Sequence, residues 1–307
     1  MPATIPSYDF SVYRLDENYS AIDLTCPQPF NVALYSRYKY GSTVAADWFA
    51  RSLGSSFLAQ QPSFAYRPRL LIASSPYRCV PTAAYALTIR LVAMLNDARA
   101  AHGLPAAGLV HIQRRAASSG DYGTLSGTAR ARLMAANALS FDQLLPYADN
   151  AHLIVVDDVK VTGAHQECLI RASDALPLRS RMFLHIAAFT DSGARPLDPA
   201  LEDRLNHAAI RTLDDLASVV ASPDFSWNVR VCKFLLNPAN QHRLAEFLAR
   251  MPVRRVRELH DNSLRDGYAR MDAYRGSHAI VWAELRHRKR WPARPPAASR
   301  ATAQALD

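Results

Sequence analysis

Short apolar runs alternate with longer amphipathic segments through the middle of the chain. Between the runs, apolar residues recur three or four positions apart, which predicts helices at 43–58, 80–101, 128–139 and 163–175. The four compact runs, each followed by polar residues, are predicted as strands at 70–73, 109–112, 153–156 and 182–189. Strands that alternate with helices favour right-handed crossovers and a parallel sheet covered on both faces. The predicted fold class is therefore α/β, a parallel sheet flanked by helices.

The pattern changes on both sides of this α/β core, which we place at residues 61–195. Residues 1–60 are predicted as an N-terminal extension, with one or two short strands and the helix 43–58, and as a candidate hood over a site in the core. Residues 196–285 show only helical periodicity and are predicted as a helical subdomain or cap. Its helices are expected at 199–209, 212–221, 238–251 and 253–266.

Composition narrows the class of protein. The chain has 307 residues, 49% of them hydrophobic, which is enough for a substantial core. Its net charge of +9 by itself suggests a protein that binds nucleic acid. Much of this charge, however, lies in residues 286–307, which hold six Lys and Arg and one acid. The Pro and Ala content of this basic segment is typical of a disordered tail, so nucleic acid is not the expected partner.

The cysteines and the hydropathy exclude further classes of protein. The four cysteines lie far apart without a Cys-x-x-Cys pair, which argues against a zinc site and a disulfide framework. No apolar run reaches the roughly 18 residues of a membrane span, and the N-terminus lacks the pattern of a signal peptide. We therefore expect a cytoplasmic protein.

The strongest chemical signal lies in residues 153–165, with the sequence LIVVDDVKVTGAH. An apolar strand runs into two acids, and a Thr-Gly turn then enters a helix. In an open parallel sheet, ligands bind at the carboxyl ends of the strands. Two adjacent carboxylates there need cations or hydroxyl donors, and the following turn offers backbone N–H groups to a phosphate. Acids for a sugar diol and amides for a phosphate together match a phosphorylated pentose.

This segment resembles the 5-phosphoribosyl 1-diphosphate (PRPP) signature of the type I phosphoribosyltransferase family: an apolar strand, two acids, an apolar residue, two variable residues and Thr-Gly-Gly-Thr. The resemblance implies that Asp157 and Asp158 are the catalytic acids that bind the ribose hydroxyls. Two positions depart from the signature, Ala164 in place of Gly and His165 in place of a hydroxyl residue. His165 could donate to the phosphate through its ring N–H or when charged. The implied 5-phosphate-binding residues are Val159, Lys160, Val161, Thr162, Gly163, Ala164 and His165.

The same resemblance assigns roles to two upstream loops. Family enzymes bind diphosphate after the first core strand, which implies a diphosphate-binding loop of Ser74, Ser75, Tyr77 and Arg78 that acts through the backbone amides of residues 74–77 and the Arg78 guanidinium. They also carry a mobile loop that closes over the active site and excludes water. Here that loop corresponds to the polar, glycine-rich stretch with Asp121, Tyr122 and Arg130 as candidate closing residues. An ordinary turn with a surface arginine and a passive loop remain the alternatives.

Outer motifs, SRYKYG at residues 36–41 and DYG at 121–123, are found in addition to the 158–165 turn. Together these segments resemble a narrower branch, the phosphoribosyltransferases of bacterial tellurite-resistance and stress-response clusters. The resemblance extends over about residues 34–267 and includes Arg230 and Lys233. It implies that Arg37 and Lys39 contact phosphate or substrate, although cations beside tyrosines are as often surface cation–π pairs.

The function implied by the resemblance is transfer of the 5-phosphoribosyl group from PRPP to a nitrogenous base or base-like acceptor, with release of diphosphate. Mg²⁺ is the expected cofactor, held mainly through PRPP and otherwise by Asp157 and Asp158. A homodimer is compatible with the family, and the acceptor is not identified. Two alternatives stay open: a PRPP-binding regulator without turnover, and a phosphorolytic or ribosyl-transferring enzyme acting on a nucleotide-like metabolite.

Two other protein classes also place acids after an apolar strand. In a receiver domain of two-component signalling, the acid pair follows the first strand, whereas here it follows the third predicted strand. Walker-B acids accompany a Gly-x-x-x-x-Gly-Lys-[Ser/Thr] loop, which this sequence lacks. Both classes are therefore disfavoured.

Overall fold

The fold is a central sheet flanked by helices, followed by a bundle of helices. The computed structural model describes residues 5–24, 29–115, 139–190, 198 and 200–288. The strands are β1 (Ser7–Leu15), β2 (Ala21–Leu24), β3 (Leu70–Ser74), β4 (Gly108–Val110), β5 (Gln113–Arg114), β6 (Leu139–Ser140), β7 (His152–Lys160) and β8 (Ser180–Phe189). The helices are α1 (Val32–Lys39), α2 (Thr43–Gln60), α3 (Pro62–Ala65), α4 (Ala83–Ala101), α5 (Ala164–Ser173), α6 (Ala200–Asn206), α7 (Leu213–Ala221), α8 (Val229–Leu236), α9 (Gln241–Arg250), α10 (Val253–Arg265) and α11 (Asp272–His287).

The central sheet has the strand order β2-β1-β8-β7-β3-β4. All neighbouring strands in it are parallel except β1 and β2, which are antiparallel. Strands β5 and β6 form a separate antiparallel pair. The predicted α/β class with a mostly parallel sheet is confirmed.

Apolar side chains cover both faces of the sheet, because alternate residues of each strand point to opposite sides. On one face, Ile72 and Ile154 pack with residues of α2 and α4 such as Phe49 and Leu91. On the other face, Leu71, Ala73, Leu153 and Val155 pack with α5 through Leu169. This double coverage explains why β3 and β7 begin as continuous apolar runs.

The N-terminal segment differs from its prediction as an extension. Strand β1 is nine residues long and lies inside the central sheet, parallel to β8 from the pair Ser7–Arg181 to the pair Leu15–Phe189. Buried Arg181 strengthens this junction, since its guanidinium donates to Ser7 Oγ and to the carbonyl of Ile5. The sequence predicted one or two short strands in this segment without giving their bounds, and the structure has two, β1 and β2.

Other boundaries differ from the prediction by a few residues. Strand β7 continues through both acids to Lys160 instead of ending before them. Helix α4 begins at Ala83, with Thr82 as its cap, because Pro81 disfavours a helical conformation of the preceding Val80. The predicted helix 128–139 lies outside the described residues except for Leu139, which belongs to β6.

The C-terminal helices α7 to α11 share a hydrophobic cluster of their own. The cluster also contains Tyr40 and Val80, so the N-terminal segment and the end of the predicted diphosphate loop pack against it. Periodicity predicted α6, α7, α9 and α10 to within a few residues and missed α8 and α11. No described helix combines the length and the apolar character needed to cross a bilayer.

A glycine turn after α1 connects the N-terminal segment to these helices. The Ser226 N–H donates to the Gly41 carbonyl at 2.9 Å, and the Thr43 N–H donates to the Asp224 carbonyl at 2.8 Å. Gly41 has φ +92°, and a Cβ there would lie 2.4 Å from the carbonyl oxygen of Ser226. The turn therefore requires glycine for both its dihedral angle and its close contact.

We predict that Gly41→Ala lowers the free energy of unfolding by more than Gly103→Ala does. Gly103 also has positive φ, at +66°, but its Cβ would meet no atom within 4 Å. The Gly103→Ala control should therefore lose only about 1–2 kcal/mol of stability, the cost of a left-handed conformation for a residue with a Cβ. Gly41→Ala should lose this amount and, in addition, the cost of the clash with Ser226. Urea unfolding of both variants measures the difference, and equal losses would contradict the tight contact at Gly41.

Candidate functional site

The site begins where β3 and β7 separate. Their pairing ends at Ser74 and Val156, after which the Ser75 N–H makes a last bond to the Val156 carbonyl at 2.8 Å. On its other side β7 stays paired with β8 as far as Lys160. The chain after β3 thus turns away and leaves a gap beside the two acids.

A cavity of about 250 Å³ occupies this gap. It is lined by three groups of residues that the sequence predicted separately: the two acids with the 159–165 turn, the loop after β3, and Lys39. The predicted residues in its wall are Asp157, Asp158, Val159, Lys160, Val161, Thr162, Gly163, Ala164, His165, Ser75, Tyr77, Arg78 and Lys39. The structure therefore assembles one candidate site from segments that are distant in sequence.

Lys39 and Asp158 form a buried ion pair in this wall. The Lys39 ammonium donates to Asp158 Oδ2, and the Val159 N–H donates to Asp158 Oδ1 at 2.9 Å. Burial alone would raise the pKa of Asp158, but the Lys39 charge and hydrogen bond, with a contribution from Arg230, hold that pKa below its ordinary value. Asp158 is therefore the ionised member of the acid pair.

Asp157 has the opposite electrostatic behaviour. Burial and the neighbouring charge of Asp158 raise the pKa of Asp157 to about 8, while Lys39 acts in the lowering direction. Its Oδ1 accepts the Asp158 N–H at 3.0 Å. At neutral pH the pair thus combines a neutral acid, which can donate a hydrogen bond, with a carboxylate that can only accept.

His165 connects the acids to the loop after β3. Its Nε2 lies 3.3 Å from Ser75 Oγ and 3.7 Å from Asp157 Oδ2. Burial, reinforced by the charge of Arg114, lowers the pKa of His165 to about 4, so the ring is neutral at pH 7. Of the two forms of His165 considered from sequence, the lowered pKa favours the neutral ring over the charged imidazolium.

The turn between β7 and α5 is shaped by Gly163. This residue has φ +74° and caps α5, a left-handed conformation that glycine adopts without strain. The first N–H groups of a helix have no partner within the helix, so the turn and the start of α5 present donors to the cavity wall. The geometry suits an anion at this end of the cavity.

Some predicted site residues do not line the cavity. Ser74 is buried at the end of β3, where its hydroxyl donates to the Ser75 carbonyl. Arg37 is exposed, because residues two positions apart on α1 point in different directions and Lys39 faces the cavity. The predicted contacts of Arg37 and of the Ser74 backbone amide stay predictions. Asp121, Tyr122 and Arg130 lie outside the described residues.

The structure adds residues to the site that the sequence did not reveal as functional. Strand β8 places His185 beside Asp157, and burial lowers its pKa to about 4. Glu202 of α6 and Arg114 also line the cavity, but only the fold brings them there. No local motif could have found them. The additional lining residues include Arg114, His185, Glu202, Asp266 and Tyr268, besides Arg230 and Lys233 of the outer motifs.

Asp266 fixes the end of the loop after β3. Its buried carboxylate accepts the N–H groups of Cys79 at 3.0 Å and Val80 at 3.1 Å, and the hydroxyl of Tyr268 at 3.0 Å. Gly267 then passes so close to Arg78 that a Cβ there would lie 3.2 Å from Arg78 Nη1. The helical region thereby holds the loop that carries Arg78.

The acids do not form a metal site by themselves. Within the ranges that the structure describes, no three His, Cys, Asp or Glu side chains cluster in a way that could hold an ion. One oxygen of Asp158 is already engaged by Lys39 and the other by the Val159 N–H. Each of these oxygens keeps a second lone pair, so ligation of Mg²⁺ by Asp157 and Asp158 stays a prediction.

Comparison with known proteins adds the family context. The model of a family described as PRTase ComF-like matches residues 10–281 of this chain. A search of curated proteins found no match. Among solved structures, a hypoxanthine phosphoribosyltransferase from Staphylococcus aureus is 11% identical, with 52% of this chain and 70% of that chain covered. Its TM-score of 0.31 is too low to support an argument from structural similarity.

We predict opposite stability effects at the two acids. Asp157→Asn should raise the free energy of unfolding, because it removes a carboxyl group that burial and Asp158 make costly to ionise. The folded-state pKa lies above the unfolded one, so the gain should be absent at acid pH and grow as pH rises from about 4 to about 8.

Asp158→Asn should instead lower the free energy of unfolding by roughly 3–5 kcal/mol, since it leaves the Lys39 ammonium buried without its counter-ion. Lys39→Met in the same chain should recover most of this loss. Urea unfolding across pH 4–9 measures all three proteins. Equal effects of the two Asn substitutions would contradict the assignment of charge.

Proposed function

Since this chain belongs to the PRTase ComF-like family, a group of phosphoribosyltransferase-like proteins, we propose that it binds PRPP in the cavity between β3 and β7. It transfers the 5-phosphoribosyl group to a nitrogenous base or base-like acceptor and releases diphosphate. One observation carries the proposal: the acid pair, the 159–165 turn and the loop after β3 line a single cavity.

Each segment matches one part of PRPP. Asp158 accepts hydrogen bonds from a ribose hydroxyl, and neutral Asp157 donates to or accepts from the other. The turn around Gly163 and the start of α5 bind the 5-phosphate. The guanidinium of Arg78, held in place by the region around Asp266, offers paired N–H donors to the diphosphate.

The chain's contribution to the reaction is alignment and charge stabilisation. The bond from C1 to the diphosphate oxygen breaks and its electron pair leaves with diphosphate, while the lone pair of the acceptor nitrogen forms the new bond to C1; an acceptor that reacts through an N–H group also releases that proton. Positive charge that develops on the ribose ring is favoured by the nearby carboxylate of Asp158. Arg78 stabilises the negative charge on the departing diphosphate.

We propose that Mg²⁺ binds together with PRPP. Because Asp158 is engaged by Lys39, we propose that the ion is held mainly through the oxygens of PRPP. Bound there, it would neutralise charge on the diphosphate.

The narrower expectations remain predictions. They are the relationship to tellurite-resistance and stress-response clusters, a cytoplasmic location, and assembly as a homodimer. Analysis of the reaction products would distinguish three functions: a synthetic transferase, a PRPP-binding regulator without turnover, and an enzyme that acts on a nucleotide-like metabolite.

We predict that the wild-type protein binds PRPP with Mg²⁺ and that Lys39→Met/Asp158→Asn binds it about 10 to 100 times more weakly. A hydrogen bond to a charged group contributes about 1.5–3 kcal/mol, and each 1.4 kcal/mol is a factor of ten in affinity. Substituting both partners of the pair avoids an unpaired buried charge, so the variant is expected to fold. Isothermal titration calorimetry measures both affinities.

The matched control is Asp149→Asn, an exposed acid on the loop just before β7, which should bind PRPP like the wild type. Absence of binding by folded wild-type protein would refute the proposed function. If the folded double variant binds PRPP as tightly as the wild type, Asp158 does not contribute to PRPP binding.

A further inference from the structure

A carboxylate outside the predicted core joins the two ends of the 159–165 turn. Asp9 of β1 accepts two hydrogen bonds at one oxygen, Oδ2, from the Lys160 ammonium at 3.1 Å and from the Gln166 side-chain amide at 3.0 Å. Lys160 ends β7, and Gln166 lies in the first turn of α5. The segments that enter and leave the turn are therefore bonded to the same atom.

The strand order explains how Asp9 reaches the turn. Strand β8 lies between β1 and β7, so the contact with Lys160 crosses two strand spacings, roughly 10 Å. Phe10 packs on Phe57 of α2, so the adjacent Asp9 points to the opposite face of the sheet, which α5 covers. Strand β1 thereby places an acid beside the helix that begins at the turn.

The side chain of Lys160 lies against the turn. A Cβ on Gly163 would be 3.4 Å from Lys160 Cε, so the lysine packs over the glycine that caps α5. Asp9 takes one of the three N–H donors of the Lys160 ammonium. The other two can serve a ligand, because Lys160 is part of the cavity wall.

The contact between Asp9 and Lys160 lies close to the cavity although Asp9 does not line it. Buried His185 lines the cavity and is paired with Asp157 across β8 and β7. Burial lowers the pKa of His185, whereas the charge of Asp9 acts to raise that pKa and the charge of Lys160 acts to lower it. Both charges are therefore near enough to influence a residue of the cavity wall.

The far end of α5 is bonded separately. The buried Arg181 guanidinium, which donates to Ser7 Oγ of β1, also donates to the Ile170 carbonyl at 2.7 Å. Loss of the Asp9 contacts would therefore loosen the first turn of α5 and leave its last turn in place.

The partial exposure of the Asp9–Lys160 pair determines how it can act. The side chains are 49% and 30% exposed, so the pair contributes little to the free energy of unfolding. Repulsion between Asp9 and a bound phosphate is also weak, because Lys160 offsets the charge and the solvent screens it. The larger effect is order, since a lysine side chain that is already held in place does not have to be immobilised by the ligand.

We propose that Asp9 is a positioning residue that holds the 5-phosphate turn in its binding conformation through Lys160 and Gln166. The inference rests on the proposed function, because that function assigns the 5-phosphate to this turn. Asp9 touches no substrate. It orders the Lys160 ammonium and the first amides of α5 before the ligand binds, so β1 serves ligand binding as well as completing the sheet.

Hydrogen exchange of the ligand-free protein tests the ordering independently of PRPP. Asp9→Ala should speed exchange by about threefold or more at the amides of residues 163–168, which include the Glu167 N–H bonded to the Gly163 carbonyl. The matched control is Asp47→Ala. Asp47 is 51% exposed and pairs with Arg90 between α2 and α4, on the other face of the sheet, so its loss should leave these amides unchanged.

Calorimetry tests whether this order serves binding. Asp9→Ala should bind PRPP with Mg²⁺ about three- to tenfold more weakly than wild-type protein, the scale expected for ordering one long side chain. Inorganic diphosphate with Mg²⁺ carries no 5-phosphate, so its affinity should stay within about twofold. In a Lys160→Met/Gln166→Met background, Asp9→Ala should cause no further loss, because Asp9 acts through those two side chains. Asp47→Ala should change neither affinity.

Three results would overturn the inference. Unchanged exchange at residues 163–168 in Asp9→Ala would show that Asp9 does not order the turn. Unchanged or tighter binding of PRPP by this variant would show that the carboxylate does not assist binding of the phosphate. Equal losses of PRPP and diphosphate affinity would assign the effect to the whole site. Failure of wild-type protein to bind PRPP would instead refute the proposed function, and the wild-type titration identifies that case before any variant is compared.

Discussion

The buried ion pair between Lys39 and Asp158 is the interaction on which the site depends. A carboxylate at this point of β7 is costly because it is removed from water, and it stays ionised because the Lys39 ammonium reaches it. Lys39 in turn is the last residue of α1, whose position is fixed by the Gly41 turn and by the bond from Asn228 to the Lys39 carbonyl. One charge pair thus connects the central sheet, the N-terminal segment and the C-terminal helices.

The same connections explain how a loop and a turn become a binding site. The 159–165 turn is set by β7 and α5, whereas the loop after β3 is held by Asp266 from the helical region. Helix α8 meets both through Asn228 and Val229. The N-terminal segment, the predicted core and the helical region therefore all contribute residues to the candidate site. The helical region shapes the cavity as well as covering it.

Sequence reasoning found what is encoded locally and missed what depends on distant contacts. The run from Leu153 to Val156, the two acids and Gly163 are contiguous, so the central motif could be predicted, and the structure gives it the expected strand, turn and helix. The Lys39–Asp158 pair joins residues 119 positions apart, and no periodicity reveals it. Opposite pKa shifts at adjacent acids arise from that contact and from burial, so they require the folded structure.

Hydrogen exchange of the wild-type protein, with and without PRPP and Mg²⁺, tests the account most directly because it locates the ligand without any substitution. Slower exchange is predicted at backbone amides of the 159–165 turn and of the loop 75–80, with little change on the exposed surface of α7. This pattern would place PRPP where the acids, the turn and Arg78 converge. Protection confined to other segments, or no protection at PRPP concentrations that saturate binding, would contradict the central claim.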